Sequence, residues 1–252
     1  MRALVLMFLL ASTALDAENV TYEQVLVPFD TMTVPGVGTV WSAELRARND
    51  GDTPVNLFPE TCSWIGWQFP CGVHIDVPAR ATVLLDLFDD QRATVPYGVF
   101  VYVPTTRIDD LSFSLRVRAS ASRIGTEIPV VRTRNYRTGR TTLLDVPLGA
   151  DSRAALRVYF ADLQPHNVVV RVYREPAGEL ILQESFFFPY PTDPSYPPTA
   201  PLMFDLSSTL SNASLQKPGR VRVTIEAPSQ RYWPLVTVTD NATLQVTAIT
   251  PQ

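Results

Sequence analysis

The amino-acid sequence predicts an all-β protein, and three features carry that prediction. Apolar and polar residues alternate with a period of two over many short segments, as they do on strands that bury one face. Twenty-two prolines and turn-like stretches such as NDGD, residues 49–52, separate these segments. No long segment carries the apolar stripe with a 3.6-residue period that marks an amphipathic helix. Short antiparallel strands at this density favour β-sandwiches.

Three segments show the alternation most clearly. In WSAELRARND, residues 41–50, the tryptophan, alanine and leucine side chains share one face, and the glutamate and arginine side chains share the other. LSFSLRVRAS, residues 111–120, repeats this pattern. So does VRVTIEA, residues 221–227, in which Thr224 is predicted to face solvent. Because the partner residues are polar, each strand is expected to bury one face only.

The segment closest to a helical pattern is DSRAALRVYFADL, residues 151–163. Its residues Leu156, Val158 and Phe160 nevertheless alternate. We therefore predict a strand here as well.

The N-terminus has the pattern of a secretory signal peptide. Arg2 precedes nine apolar residues, 3–11, and small residues follow them. A bilayer span needs about 20 apolar residues, so this run is too short to be one. We predict cleavage after Ala17, with Ala14 as the alternative. The mature protein is then expected to be secreted, periplasmic or at the cell surface.

Export gives the only two cysteines, Cys62 and Cys71, a structural meaning. In an oxidising compartment they are predicted to form a disulfide, which stabilises by roughly 2–3 kcal/mol for so short a loop. The loop, CSWIGWQFPC, carries Trp64, Trp67 and Phe69. These aromatic side chains can form an exposed binding tip or a plug that folds onto the end of the core.

A weak internal repeat predicts two domains. The segment 39–58 is echoed by 154–173, and in both copies an insertion and three further strand-like segments follow in the same order. We predict one β-sandwich over residues 18–121, with the disulfide loop, and a second over 125–252, with a loop rich in proline and aromatic residues. A single large sandwich is the alternative.

Each predicted unit resembles an immunoglobulin-like or fibronectin-like sandwich of about seven strands. The segment TEIPVVRTRNYRTGRTTLLDVP, residues 126–147, also resembles uncharacterised exported bacterial proteins with tandem β-domains. This resemblance implies two tandem immunoglobulin-like domains and implies no activity. One feature differs from antibody domains, whose disulfide joins the two sheets, because Cys62 and Cys71 lie in one loop.

Motifs for catalysis are missing from the sequence. It contains no G-x-S-x-G, H-E-x-x-H, phosphate-binding or dinucleotide-binding pattern. His74 and Asp76 can pair on one strand face, which we interpret as structural. The aspartates of segments 86–90 and 108–110 are interpreted as solvated turns, with calcium binding as the lesser alternative. We expect no enzyme activity, no cofactor and no metal site.

Two further stretches are candidate binding regions. Residues 185–201 combine prolines with aromatic side chains, among them Tyr190 and Tyr196. Arginines crowd the predicted junction between the domains, and they form a candidate site for anionic polysaccharide. The alternative is that they cover outward strand faces and make contacts between the domains. The arginines taken as candidate binding residues are Arg132, Arg134 and Arg137.

These observations predict an exported, non-enzymatic protein that acts in adhesion, extracellular structure or binding of surface glycans or proteins. A fibre subunit is one form of this function, with residues 20–29 completing the sheet of a neighbour by strand addition. A periplasmic chaperone of the pilus-assembly type and a carbohydrate-active hydrolase are the alternatives. The net charge of −4 does not favour nucleic-acid binding, and we expect no membrane span.

Overall fold

The computed structural model describes residues 20–29, 34–36, 39–59, 74–87, 98–120, 122, 125–161, 166–188, 201–212 and 219–251. Within them the protein is nearly all β, with antiparallel sheets, as the sequence predicts. These described residues contain two main clusters of buried apolar side chains, which we call core 1 and core 2. The likeness to immunoglobulin domains stays a prediction.

Two sheets enclose core 1. The first has the strand order β10-β1-β7-β4-β5, and the second has the order β2-β3-β8-β9 with β6 also paired to β3. The strands are β1 (Tyr22–Val27), β2 (Val34–Gly36), β3 (Thr39–Asn49), β4 (Val55–Pro59), β5 (Ile75–Val77), β6 (Thr82–Leu85), β7 (Val99–Pro104), β8 (Leu111–Ala119), β9 (Thr126–Ile128) and β10 (Val131–Arg132). A short 3-10 helix, η1 (Ile108–Asp110), precedes β8, and a second one, η2 (Thr133–Asn135), follows β10.

The remaining strands form a seven-stranded sheet that folds around core 2. Its strands are β11 (Arg137–Pro147), β12 (Ser152–Phe160), β13 (His166–Arg174), β14 (Glu179–Phe188), β15 (Leu202–Asp205), β16 (Arg220–Asp240) and β17 (Val246–Ile249). A short helix, α1 (Leu206–Asn212), follows β15. Asp205 accepts a hydrogen bond from the backbone N–H of Ser208 at 2.9 Å, which caps α1.

The predicted alternation is confirmed in β3 and β8. Leu45 and Ala47 are fully buried, and Leu115 lies beside them in core 1, whereas Arg46 and Arg116 on the opposite faces are exposed. The segment 151–163 contains β12 rather than a helix, also as predicted. Period-two alternation therefore reports the buried face of these strands correctly.

The 21-residue strand β16 belongs to two layers. Residues 220–227 pair with β11 and β13, and β14 continues this layer, which we call the outer layer. Residues 232–240 pair with β12 and β17, and β15 continues this second layer, which we call the central layer. Inward side chains of both layers meet in core 2, so the two layers form a sandwich.

The central layer is buried on both faces. Val158 and Val236 point into core 2, whereas Tyr159, Trp233 and Leu235 point into core 1. Every residue from 232 to 238 is therefore buried. The two cores share this layer as a common wall, so the two sandwiches are packed into one body.

Specific contacts join the central layer to the first sandwich. The Tyr159 hydroxyl donates a hydrogen bond to the Pro28 carbonyl at 2.6 Å. The Arg157 guanidinium lies over the Phe29 ring, 4.7 Å from its centroid, and donates to the Thr237 hydroxyl at 2.7 Å. Such contacts with buried polar groups fix the layers in one alignment, because a shift would leave these groups without partners.

The strands after the predicted junction pair with the first sandwich. β9 pairs with β8, and β10 pairs with β1. Ile128, Val131 and Tyr136 are buried in core 1. These contacts join β9, β10 and Tyr136 to the first sandwich, and the predicted domain boundaries stay a prediction.

β1 coincides with the segment proposed for strand addition to a neighbour. It is paired on one side with β7 and on the other with β10. Val25, Leu26 and Val27 are at most 1% exposed. This segment is therefore used within its own domain.

Thr224 differs from its predicted exposure and is only 6% exposed. It lies on the outward face of the outer layer, where Thr142 on β11 and Arg171 on β13 are its cross-strand partners. These neighbours flank it on both sides, so an outward position is buried without an overlying sheet.

The outer layer ends in two long edge strands, β11 and β14. On β14, Glu184 stands opposite Val170, whose side chain is in core 2, so the carboxylate points to the inner side of the sheet. An inward-pointing charge on an edge strand hinders pairing with a strand of another molecule. Next to Glu184, Phe186 contacts Phe204 of β15 with ring centroids 5.1 Å apart, which closes the sandwich at this side.

Within the described residues, no helix has the length and hydrophobicity that a bilayer crossing requires.

Gly98 provides a test of the close packing between the central layer and the first sandwich. A Cβ atom at this position would lie 2.7 Å from a ring carbon of Tyr159 and 2.9 Å from the Val27 carbonyl oxygen. We expect Gly98→Ala to lower the free energy of unfolding by about 1–3 kcal/mol, because such overpacking must shift backbone or a buried ring. Urea unfolding measures it.

Gly149→Ala is the matched control, since its Cβ would have no neighbour closer than 3.9 Å. Its effect should stay within about 0.5 kcal/mol. Equal effects of the two substitutions would contradict the close contact at Gly98.

Candidate functional site

Seven of the predicted site residues lie outside the described part of the chain. Their roles in a disulfide, an aromatic tip or a proline-rich arm stay predictions. These residues are Cys62, Trp64, Trp67, Phe69, Cys71, Tyr190 and Tyr196.

Arg132 and Arg134, two of the predicted basic ligand-binding residues, are engaged in ion pairs. Arg132 donates two hydrogen bonds to the carboxylate of Glu23, from Nε at 2.9 Å and from Nη2 at 2.6 Å. It also pairs with Asp109, and Arg134 lies 3.4 Å from the same Asp109 oxygen. The side chains of Arg132 and Glu23 are only 18% and 12% exposed. Two guanidinium groups thus meet two carboxylates and are neutralised.

This cluster joins the segment after β9 to the first sandwich. Thr133 donates a hydrogen bond to the Gln24 carbonyl at 3.1 Å, and Arg231 donates to the Thr133 carbonyl. The hydrogen bond and charge of Arg132 hold the pKa of Asp109 below its usual value. Arg132 therefore makes its ion pairs within the first sandwich, where it joins β10 to β1 and η1.

Arg137, the third predicted arginine, lines a groove beside β11. The groove has a volume of about 580 Å³, within the range of about 300–1,000 Å³ that is typical of small-ligand sites. It combines cationic, hydroxyl and apolar side chains. The lining residues are Tyr136, Arg137, Thr138, Arg140, Thr141, Thr142, Leu144 and Pro251.

The groove follows from the position of β11 in the sheet. β11 has 11 residues, and among the described strands it pairs with β16 only. The register is interrupted between Arg137 and Gly139, where Gly139 has φ of +72°, and again between Leu143 and Val146. At the first interruption the extra residues lie on β16, whereas at the second an extra residue on β11 forms a bulge, which turns the strand and redirects its side chains. The groove lies along this bent edge.

Tyr232 holds the backbone of β11 in place at the first of these interruptions. It is fully buried, and its hydroxyl lies 3.0 Å from the Gly139 carbonyl oxygen and 2.8 Å from that of Ile225. Burial raises the pKa of Tyr232, so it stays a neutral phenol. The backbone that carries Arg137 and Arg140 is thus held in place by a buried contact.

The charges at the groove are not balanced. Among the described residues no carboxylate forms an ion pair with Arg137. Arg140 and Arg171 share one carboxylate, that of Glu226, at 3.3 Å and 2.7 Å. Asp145, the acidic residue of β11, pairs with Arg220. Among the described residues, Glu226 is thus the one carboxylate that pairs with an arginine of the groove.

This arrangement suits binding of anions. Exposed guanidinium groups donate paired hydrogen bonds to carboxylate or sulfate oxygens, and the threonine hydroxyls of the groove add further donors and acceptors. The described residues include no group of three or more His, Cys, Asp or Glu side chains that could hold a metal ion.

The predicted pair of His74 and Asp76 forms, with Nε2 of His74 3.3 Å from Oδ1 of Asp76. Both side chains are exposed, and the His74 ring lies 6.0 Å from the Phe58 ring, centroid to centroid. In the described part of the chain no serine, threonine or cysteine donates a hydrogen bond to His74. The contacts of the pair match the structural interpretation.

The aspartates of segment 108–110 pair with arginines. Asp109 contacts Arg132 and Arg134, and Asp110 lies 2.7 Å from Nε of Arg107. The described part of segment 86–90, residues 86 and 87, lies just after β6. Calcium binding is not needed to explain the carboxylates of η1.

Sequence reasoning missed Pro251 as part of the groove and Glu226 as the partner of Arg140. The alternation in RTGRTTLL, residues 137–144, does place Arg140, Thr142 and Leu144 on one face. Nothing local brings Glu226 beside Arg140, because they are 86 positions apart and meet only through the pairing of β11 with β16.

Asp109 gives a test of the cluster around Arg132. Its pKa is lowered, so its contribution to stability is complete above the ordinary aspartate pKa of about 3.9 and is lost as the pH falls through the folded-state value. We therefore expect Asp109→Asn to be less stable than wild type at neutral pH, with a difference that disappears in acid. Urea unfolding of both proteins across this pH range measures it. A difference independent of pH would contradict the ion pair.

Comparisons with known proteins give no family for this chain. No protein-family model matches it, and no curated protein or solved structure is similar to it.

Proposed function

We propose that the protein is an exported, non-enzymatic binding module that holds an anionic polysaccharide at the cell surface. The observation that carries the proposal is the groove beside β11, where Arg137 and Arg140 face solvent with incomplete charge compensation. The polysaccharide would lie in the groove, along β11.

The shape of the groove favours an extended ligand. β11 runs for 11 residues, and a strand rises about 3.4 Å per residue, so its edge offers a long track rather than a closed pocket. Arg137 and Arg140 lie along this track, with Thr138 between them. A polymer with repeated anionic groups can engage both arginines at once, which a single small anion cannot.

The apolar part of the groove fits the carbon-bound hydrogens of sugar rings. Leu144 and Pro251 contribute most of this surface, and Tyr136, which is 7% exposed, adds a small part of it. Sugars present both hydroxyl groups and apolar faces, so a site that mixes aromatic, aliphatic and hydroxyl side chains complements them. A site for inorganic anions would not need these side chains.

The overall charge supports local rather than general attraction. The whole chain carries a net charge of −4, so it does not bind polyanions through its overall field. Attraction is confined to patches where arginines lack carboxylate partners. Binding should therefore weaken as salt screens the charges.

The proposal predicts a loss of binding in groove variants. We expect Arg137→Ala and Arg140→Ala each to weaken binding of polygalacturonate by about fivefold, or about 1 kcal/mol, because each removes charge-assisted hydrogen bonds. Titration calorimetry at low salt measures the dissociation constants. Dextran sulfate serves as a second polyanion, and uncharged dextran should not bind.

Arg118→Ala is the matched control. Arg118 is an exposed arginine on β8 of the first sandwich, so its removal changes the net charge equally. Unchanged binding in all three variants would contradict the groove as the site. Shortening of either polymer chain during incubation would contradict a non-enzymatic role.

A further inference from the structure

Glu226 lies between two arginines that hold it unequally. Its Oε2 atom is 2.7 Å from Nη1 of Arg171 and 3.3 Å from Nη2 of Arg140. The side chains of Glu226 and Arg171 are 29% and 24% exposed, whereas that of Arg140 is 63% exposed. The contact with Arg171 is therefore the shorter and less hydrated one, and the contact with Arg140 is long and open to solvent.

The two arginines also differ in their other contacts. Arg171 donates a second hydrogen bond, from Nε to the side-chain oxygen of Gln183 on β14, at 2.8 Å. For Arg140, the described residues provide Glu226 as its only ion-pair partner, and its side chain lines the groove. Arg171 is thus fixed between two acceptors, while Arg140 is free to turn toward a ligand.

We infer that Glu226 is a specificity-determining residue that competes with the anionic groups of the ligand for Arg140. This inference rests on the proposed function of the groove. Without ligand, Arg140 is partly satisfied by Glu226. A carboxylate or sulfate of the polysaccharide takes over Arg140, and Glu226 keeps its pair with Arg171.

The exchange leaves no charge without a partner. If Glu226 depended on Arg140 alone, ligand binding would strand a half-buried carboxylate, which is costly. Because Arg171 retains the carboxylate, only the long, exposed contact with Arg140 is lost. Glu226 also repels any anion that approaches the groove, so an isolated anionic group binds weakly and a ligand with several groups is favoured.

The ionisation of Glu226 is consistent with this competition. Hydrogen bonds from Arg171 and then from Arg140 hold the pKa of Glu226 below its usual value. The carboxylate is therefore ionised at neutral pH, with or without ligand in the groove.

The first test is the isosteric substitution Glu226→Gln. It removes the competing charge and keeps the size of the side chain, so binding of polygalacturonate should tighten by roughly threefold, as expected for loss of an exposed pair. Glu44→Gln is the matched control. Glu44 is exposed on β3 and pairs with Arg46 at 2.6 Å, so the same charge change there should leave binding unaltered.

The second test uses Arg171, which does not line the groove. In Arg171→Ala, Glu226 has only Arg140 as a partner, so binding should weaken. Adding Glu226→Gln to this variant should then tighten binding by about tenfold, more than in the wild-type background. If the charges acted independently, Glu226→Gln would tighten binding by the same factor in the wild-type protein and in Arg171→Ala.

The outcomes separate this inference from the function on which it rests. A gain from Glu226→Gln that is larger without Arg171 supports the competition. Equal gains, or no gain, overturn it while the losses in Arg137→Ala and Arg140→Ala still support the groove. If the wild-type protein binds neither polygalacturonate nor dextran sulfate, the proposed function itself fails. Circular dichroism of each variant confirms that it is folded.

Discussion

The whole structure depends on one constraint, the burial of the central layer on both faces. Its strands send Val158 and Val236 into core 2 and Tyr159 and Leu235 into core 1, so neither sandwich is complete without it. Because β16 continues from this layer into the outer layer, the bend of β16 also sets where β11 runs. The position of the groove is thus a consequence of a shared apolar wall rather than of local loop structure.

The arginines around β10 and β11 divide into two groups with different roles. Where carboxylates from the first sandwich are within reach, as Glu23 and Asp109 are for Arg132, the charges are used to hold the segment in place. A few residues further along the chain, Arg137 has no such partner among the described residues and faces the groove. The acids that the fold brings near them thus separate neighbouring arginines into residues held in ion pairs and residues that, under the proposed function, are available to a ligand.

The sequence predicted the fold class because period-two alternation is a local property. It located β3, β8 and β12, and it showed the buried faces of β3 and β8. It could not show that residues 232–238 are buried on both sides. This segment is almost continuously apolar, apart from Thr237, and such a run does not indicate which layers cover each face. The sequence indicated the candidate site only through the crowded arginines, Arg137 among them. Pairing of Arg132 with Glu23 spans 109 positions, and no local pattern reports it.

The carboxylate of Glu184 on β14 bears on what happens when many copies gather on one ligand. Under the proposed function, a polysaccharide with many binding positions would raise the local concentration of the protein and bring the outermost strands of neighbouring molecules together. If the β14 strands of two molecules paired, the Glu184 carboxylates would have to be buried toward the apolar interior where the two sheets join. Molecules crowded along one polymer would therefore remain separate and reversibly attached, instead of setting into a continuous fibril.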